Sequence, residues 1–223
     1  IIDWLAEDHK ISDDGLVYTF TLRDGLKFSD GTDVTAEDVK FSIERHLEVG
    51  GSLPIEADVK SVEAVDEKIV EITLGTAYTP FLSELANFSN GIIPKDFGGK
   101  TEEEFFKNPV GTGPFAVSEW DPSGDLTFVK NEYYWQEGKP YIDERVYKVV
   151  YYDNQALNQL LAGEIDGIED LSLSNASNVD GNADTKTATS FSYNVEELFF
   201  NTLDEHFSDE HVRRALAMAI DRE

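Results

Sequence analysis

The stretch Asn108-Pro109-Val110-Gly111-Thr112-Gly113-Pro114-Phe115 constrains the fold of this chain more than any other. Each proline fixes its own φ at about −65° and pushes the residue before it, Asn108 or Gly113, out of the helical region. The two glycines allow backbone angles closed to other residues. No regular element can run through such a segment. It joins a helical pattern on its N-terminal side to a strand that starts at Phe115, and it reads either as a tight surface turn or as a crossing between domains.

On the N-terminal side, Tyr18, Phe20 and Leu22 alternate with Val17, Thr19 and Thr21, which predicts a half-buried strand. Asp24-Gly25 is a hairpin signal, with Leu26-Lys27-Phe28 as the return strand, and Ser29-Asp30-Gly31-Thr32 is a second turn. Thr35 caps a helix, with Asp38 three residues on; Val39, Ile43 and Leu47 give it an apolar face and Gly50-Gly51 ends it. Val59 to Leu74 is a second hairpin around Asp66-Glu67-Lys68. Thr79-Pro80 opens a short helix carrying Phe81, Leu82 and Leu85. Thr101 and Glu104 form a capping box over a helix ending near Lys107.

On the C-terminal side, three strands are expected at Phe115–Trp120, Leu126–Lys130 and Arg145–Tyr152, the first two joined by Asp121-Pro122-Ser123-Gly124. A helix starts near Asn154 with Ala156, Leu157, Leu160 and Leu161 inward, and Gly163 closes it. Ile165–Asp170 and Leu198–Asn201 read as strands, and the polar residues 172–190 between them read as a loop. Ser208 caps a last helix whose stripe is Val212, Ala215, Leu216, Ala219 and Ile220. The fold class is mixed α/β, with no internal repeat.

Charge narrows the partners. Eighteen Lys and Arg face 45 Asp and Glu, a net charge of −27. A general nucleic-acid or anionic-membrane binder needs clustered cations and is excluded. Carboxylates spread along the whole chain form a solvated shell with strong self-repulsion at low salt. Two readings fit that shell, adaptation to brine or a merely acidic secreted protein. There is no cysteine, so no disulfide, zinc-thiolate site or thiol nucleophile can form. No apolar run reaches the roughly 18 residues needed to span a bilayer. The chain opens on Ile1 and closes on Glu223 inside a helical pattern, which leads us to expect an internal piece of a longer protein.

No catalytic or metal site is expected, and no cofactor. The histidines at 9, 46, 206 and 211 do not stand in zinc-protease spacing. There is no Gly-x-Ser-x-Gly elbow and no phosphate-cradling loop with a lysine. Asp180-Gly181-Asn182-Ala183-Asp184 starts like a calcium loop, but Thr185 stands where glycine is needed and Phe191 where a bidentate Glu is needed. Asn87-Phe88-Ser89 and Asn175-Ala176-Ser177 match the glycosylation sequon, a pattern frequent by chance.

Longer blocks are more specific. Residues 13–31, from Asp13-Asp14-Gly15-Leu16 through Phe28-Ser29-Asp30-Gly31, and then Thr35-Ala36-Glu37-Asp38-Val39, resemble the signature of the oligopeptide/dipeptide/nickel class of extracellular solute-binding proteins of ABC importers (family 5). The 108–115 stretch is similar to that family's crossover, and Asn131-Glu132-Tyr133-Tyr134-Trp135 with Gly138-Lys139-Pro140-Tyr141 to its next block. Phe200-Asn201-Thr202, Phe207-Ser208-Asp209 and 212–222 are similar to a later one. Only about 172–195 lies outside the resemblance.

The resemblance implies a periplasmic-binding-protein-like clam of two lobes, with a smaller extra domain on the first. Residues 1–108 are then the extra α+β domain, 109–114 the interdomain crossover, and 115–223 part of the first ligand-binding lobe, with the second lobe absent. It implies capture of a peptide or similar small solute outside the membrane, in the periplasm or anchored at the cell surface, and delivery to an importer permease. Membrane association comes only through that permease or a lipid anchor outside this piece. A nickel complex or an oligosaccharide stays open as the ligand, and a sensor or enzyme on the same scaffold is the alternative. The strand end at Phe200 falls near the cleft by resemblance, so Asn201 is the expected ligand contact, with Thr202 and Ser89 beside it. An amide there can both donate to and accept from a peptide backbone.

Overall fold

A computed structural model describes residues 1–50, 53–190 and 197–221. The chain divides into two compact units, Ile1–Val149 and Val150–Glu223.

The first unit is built on a four-stranded antiparallel sheet in the order β1-β2-β4-β3, with β1 Ala6–Ile11, β2 Val17–Leu22, β3 Val59–Ala64 and β4 Ile69–Leu74. Register pairs Ile11 with Tyr18, Tyr18 with Ile72, and Val62 with Ile72. Alternation puts Val70, Ile72 and Leu74 of β4 and Tyr18 and Leu22 of β2 into the core with Val62. Phe81, which opens the short helix α2 (Phe81–Leu85), meets the Tyr18 ring edge-on at 4.8 Å between centroids. That arrangement adds to the area both rings bury.

One expectation changes here, and one strand was not expected. Leu26-Lys27-Phe28 does not return along β2, because both edges of β2 are taken, by β1 and β4. Instead Leu26 and Phe28 plug the core at 3% and 1% exposure, in a loop closed by a bridge between Lys27 and Asp33. Strand β1 has no apolar alternation to reveal it.

Helix α1 (Ala36–Val49) packs over β3 and β4. Its buried positions are Ala36, Val39 and Ile43 with Asp38, Ser42 and His46, while Leu47, expected inside, is exposed. Three polar residues replace one apolar turn because that flank holds a neighbouring backbone. Asp38 accepts the Lys95 amide at 2.8 Å, Ser42 Oγ accepts the Ile93 amide at 2.9 Å, and His46 Nε2 lies 3.1 Å from the Leu53 carbonyl. The same Asp38 carboxylate receives the Thr35 amide and hydroxyl, both at 2.7 Å.

Next comes a tight turn with positive φ at Asp96, Phe97, Gly98 and Gly99. It turns the Phe97 ring against Phe41, Phe105 and Phe106. Helix α3 (Glu102–Lys107) carries the expected capping box, with Glu104 accepting the Thr101 amide at 3.0 Å and hydroxyl at 2.8 Å.

A second, three-stranded antiparallel sheet follows in the order β5-β6-β7, with β5 Phe115–Trp120, β6 Leu126–Lys130 and β7 Glu144–Tyr147. The third strand ends at Tyr147 rather than Tyr152 because Tyr147 pairs with Leu126, the first residue of β6, and no ladder partner lies beyond it.

In the second unit α4 (Asp153–Leu161) buries Leu157, as expected, but leaves Leu161 exposed. Residues 165–170 form no strand. Inside the expected loop stands α5 (Leu173–Asp180), which touches α4 and buries Asn175 and Val179 on one face. No strand is seen at Leu198–Asn201 either. Helix α6 (Glu210–Ala219) is capped by Asp209, one residue later than expected: its carboxylate accepts the His211 amide at 2.8 Å, while Ser208 Oγ donates to the Glu205 carbonyl. The expected buried stripe of α6 lies in the open, Val212 and Leu216 each at 40% exposure. Periodicity fixes which residues share a face; it does not supply the surface that covers it.

Candidate functional site

Asn201 sits at an exposed turn rather than a strand end. Its Oδ1 accepts the Leu203 amide at 3.1 Å and its carbonyl accepts the Asp204 amide at 3.1 Å. This is an Asx turn, the local bond an asparagine makes with its own backbone two residues on. Thr202 is exposed beside it. Ser89 belongs to the first unit, in the short 3-10 turn Phe88–Asn90, where its hydroxyl donates to the Leu53 carbonyl at 3.2 Å. Asn201 and Thr202 are thus neighbours on one turn of the second unit.

The histidines are each held by a local partner. His206 and His211 lie 2.9 and 3.0 Å from Asp204 and Asp209, two residues back. Those aspartates are held below the usual carboxylate range, first by the backbone amides of His206 and His211 and then by the imidazoles. His9 bonds Asp3 at 2.8 Å and stacks on Phe20. Asp180 accepts both the amide and the hydroxyl of Thr187, so the stretch that starts like a calcium loop is tied to its own chain. Among the described residues no group of three His, Cys, Asp or Glu is placed to hold a metal.

Sequence reasoning missed how the first unit fastens its two sheets. The 109–114 stretch is pinned at Gly111, Gly113 and Pro114. The Ser29 amide donates to the Gly111 carbonyl at 2.9 Å, and Asn131 Nδ2 donates to the Gly113 carbonyl at 2.8 Å while the Asn131 amide reaches Pro114. Neither Gly111 nor Gly113 uses a positive φ. The conformational freedom read from them is not spent there.

Gly31 does need its type. It sits at φ +88, and a Cβ there would stand 2.9 Å from the Tyr133 ring. Above this joint the Arg23 guanidinium lies 4.6 Å from the centre of the Trp135 ring and Arg23 Nε donates to the Trp4 carbonyl at 2.7 Å. Trp4 meets Trp135 edge-on. The pairing of residues from positions 4, 23 and 135 leaves no local signal in a sequence.

The chain belongs to the bacterial extracellular solute-binding proteins, family 5, whose middle-region model matches residues 1–223.

The glutathione-binding protein GsiB of Escherichia coli K12 is 31% identical over 221 residues, which cover 98% of this chain and 43% of GsiB. The structure of the binding protein AgaA from A. tumefaciens R10 in complex with agropinic acid superposes with a TM-score of 0.82 at 33% identity, covering 98% of this chain and 45% of AgaA. The periplasmic binding protein DppA of Helicobacter pylori, in complex with the peptide STSA, gives 0.77 at 26% identity, covering 98% and 47%. The chain therefore spans under half the length of these relatives.

Proposed function

We propose that this chain is part of the substrate-binding component of an ABC importer, which captures a peptide or similar small solute outside the membrane and delivers it to a permease. The observation that carries this is the family match along all of residues 1–223, joined to the likeness to AgaA and DppA, each solved around a small ligand. The work is binding without chemistry: a ligand that contacts both lobes stabilises the closed state by its differential contacts. We divide the chain at the crossover, with 1–108 as the extra domain and 115–223 as part of the first lobe. What supports this is that the four-stranded sheet lies wholly before residue 109 and β5–β7 wholly after 114, although the compact units part at Val149.

Asn201 and Thr202 are our ligand-contact candidates, on one exposed turn with polar groups facing water. Ser89 completes the set. The test is native mass spectrometry of the full-length protein for co-purified ligand, followed by calorimetry with the solute found and with dipeptides and tripeptides. An extracellular protein that carries and binds no small solute refutes the reading. Asn201→Ala should weaken the measured affinity several-fold, and an unchanged Kd removes Asn201 from the pocket.

A further inference from the structure

Two Asn-x-Ser sequons stand in the chain, and the fold treats them in opposite ways. We propose that Asn87 is an acceptor of an N-linked glycan and that Asn175 is not; this rests on the reading that the protein works outside the membrane.

Asn175 is 8% exposed and lies on the buried face of α5 beside Val179. A transferase cannot reach its carboxamide without unfolding the helix. Asn87 differs on each count. Its backbone is extended, φ −68 and ψ 146, just ahead of the 3-10 turn, and its side chain does not cap that turn. Its carboxamide makes no hydrogen bond to any described residue and is half-buried, while the middle residue of the sequon, Phe88, is 83% exposed. The sequon hydroxyl on Ser89 has one exposed bond, to the Leu53 carbonyl at 3.2 Å, and water can replace it. A free amide, an extended backbone and an accessible hydroxyl on a surface turn are what such an acceptor requires.

The chemistry is a displacement. Asn87 Nδ2 forms a bond to C1 of a polyprenyl-pyrophosphate-linked oligosaccharide. The C1–O bond to pyrophosphate breaks, the lipid pyrophosphate leaves with the electron pair, and the amide nitrogen gives one proton to a base of the transferase. The glycan then occupies the surface two residues from Ser89.

The experiment is glycopeptide mass spectrometry on the full-length protein isolated from its native cells, together with cell fractionation. The expected result is a saccharide mass on the peptide carrying Asn87 and none on that carrying Asn175. Asn87→Gln and Ser89→Ala should abolish the added mass, whereas Ser89→Thr, which keeps the sequon, and Asn175→Gln should retain it. An unmodified Asn87 on a protein recovered outside the membrane overturns the proposal and leaves the transport reading standing. A glycan on Asn175 overturns the accessibility argument. Recovery of the protein from the cytoplasm overturns the transport reading and this proposal with it.

Discussion

Replacing Asp38 by alanine should loosen the 92–97 segment far more than it loosens the sheet beneath. Asp38 is 8% exposed, and its two carboxylate oxygens serve three donors: the Lys95 amide at 2.8 Å, and the Thr35 amide and hydroxyl at 2.7 Å each. The hydroxyl can turn to water; the two amides, part-buried and fixed by the backbone, do so less readily. A buried donor left without an acceptor costs about 1–3 kcal/mol, and loss of a helix cap about 1 kcal/mol.

Assigning about 2 kcal/mol to the Lys95 side predicts roughly 30-fold faster local opening, since each 1.4 kcal/mol is about tenfold. Hydrogen exchange of the peptide spanning residues 92–97, measured by mass spectrometry on the full-length protein, reads that opening directly. Asp38→Asn should behave similarly, because either rotamer turns its NH2 group toward an existing donor. Ser42→Ala should release the Ile93 amide next door by a smaller factor. If the 92–97 peptide exchanges at the same rate in Asp38→Ala as in the parent, the carboxylate does not hold this segment and the reasoning fails.

Three further outcomes are expected. Gly31→Ala combines a strained φ of +88 with a Cβ 2.9 Å from the Tyr133 ring, so it should destabilise by about 1–3 kcal/mol in chemical denaturation; Tyr133→Ala in the same chain should recover only the steric part. The Thr101 amide and hydroxyl hold Glu104 below its ordinary value of 4.5. A depressed carboxylate stabilises above its unfolded pKa and loses that contribution as pH falls through its folded one, so α3 should fray below about pH 4, read as increased exchange of residues 102–107. With a net charge of −27, the melting temperature should rise in sodium chloride between 0.1 and 1 M, where the Debye length falls from about 10 to about 3 Å, and a flat profile would speak against brine adaptation.

What the sequence disclosed follows from the range of the interactions involved. The capping box at Thr101, the hairpin Val59–Leu74, the pair β5–β6 and helix α1 depend on residues a few positions apart, and all are present. The buried flank of α1 did not show because Asp38, Ser42 and His46 look like a solvent face until the backbone of residues 93–95 and the Leu53 carbonyl are laid against it. Helix α5 was hidden for the same reason, half of its buried pair being Asn175. Strand β1 has no alternation, and only its partner β2 makes it a strand. At the candidate site the identity of Asn201 was legible but its setting was not: an apolar run at 198–200 reads as a strand, and the Asx turn that follows leaves it unpaired.

The acid shell links stability to function through one field. Asp38 is the one acid buried among the described residues, so the remaining carboxylates described face or border solvent. Pairing with Lys and Arg cannot neutralise them: 45 acids against 18 such cations leave a surplus of 27. The pairs that form, such as Lys95 with Glu37 or Lys107 with Glu103, are about half exposed or more. Solvent screens such pairs, so they offset little of the repulsion. The surplus charge therefore sets the potential over the surface, and two consequences of opposite sign follow. Added salt relieves repulsion within the fold. The same salt removes the attraction that draws a cationic group, such as a peptide amine, toward the protein. On the transport reading proposed above, added salt raises stability and lowers electrostatic capture together, which would leave short-range polar and apolar groups, beyond the reach of screening, to hold the ligand.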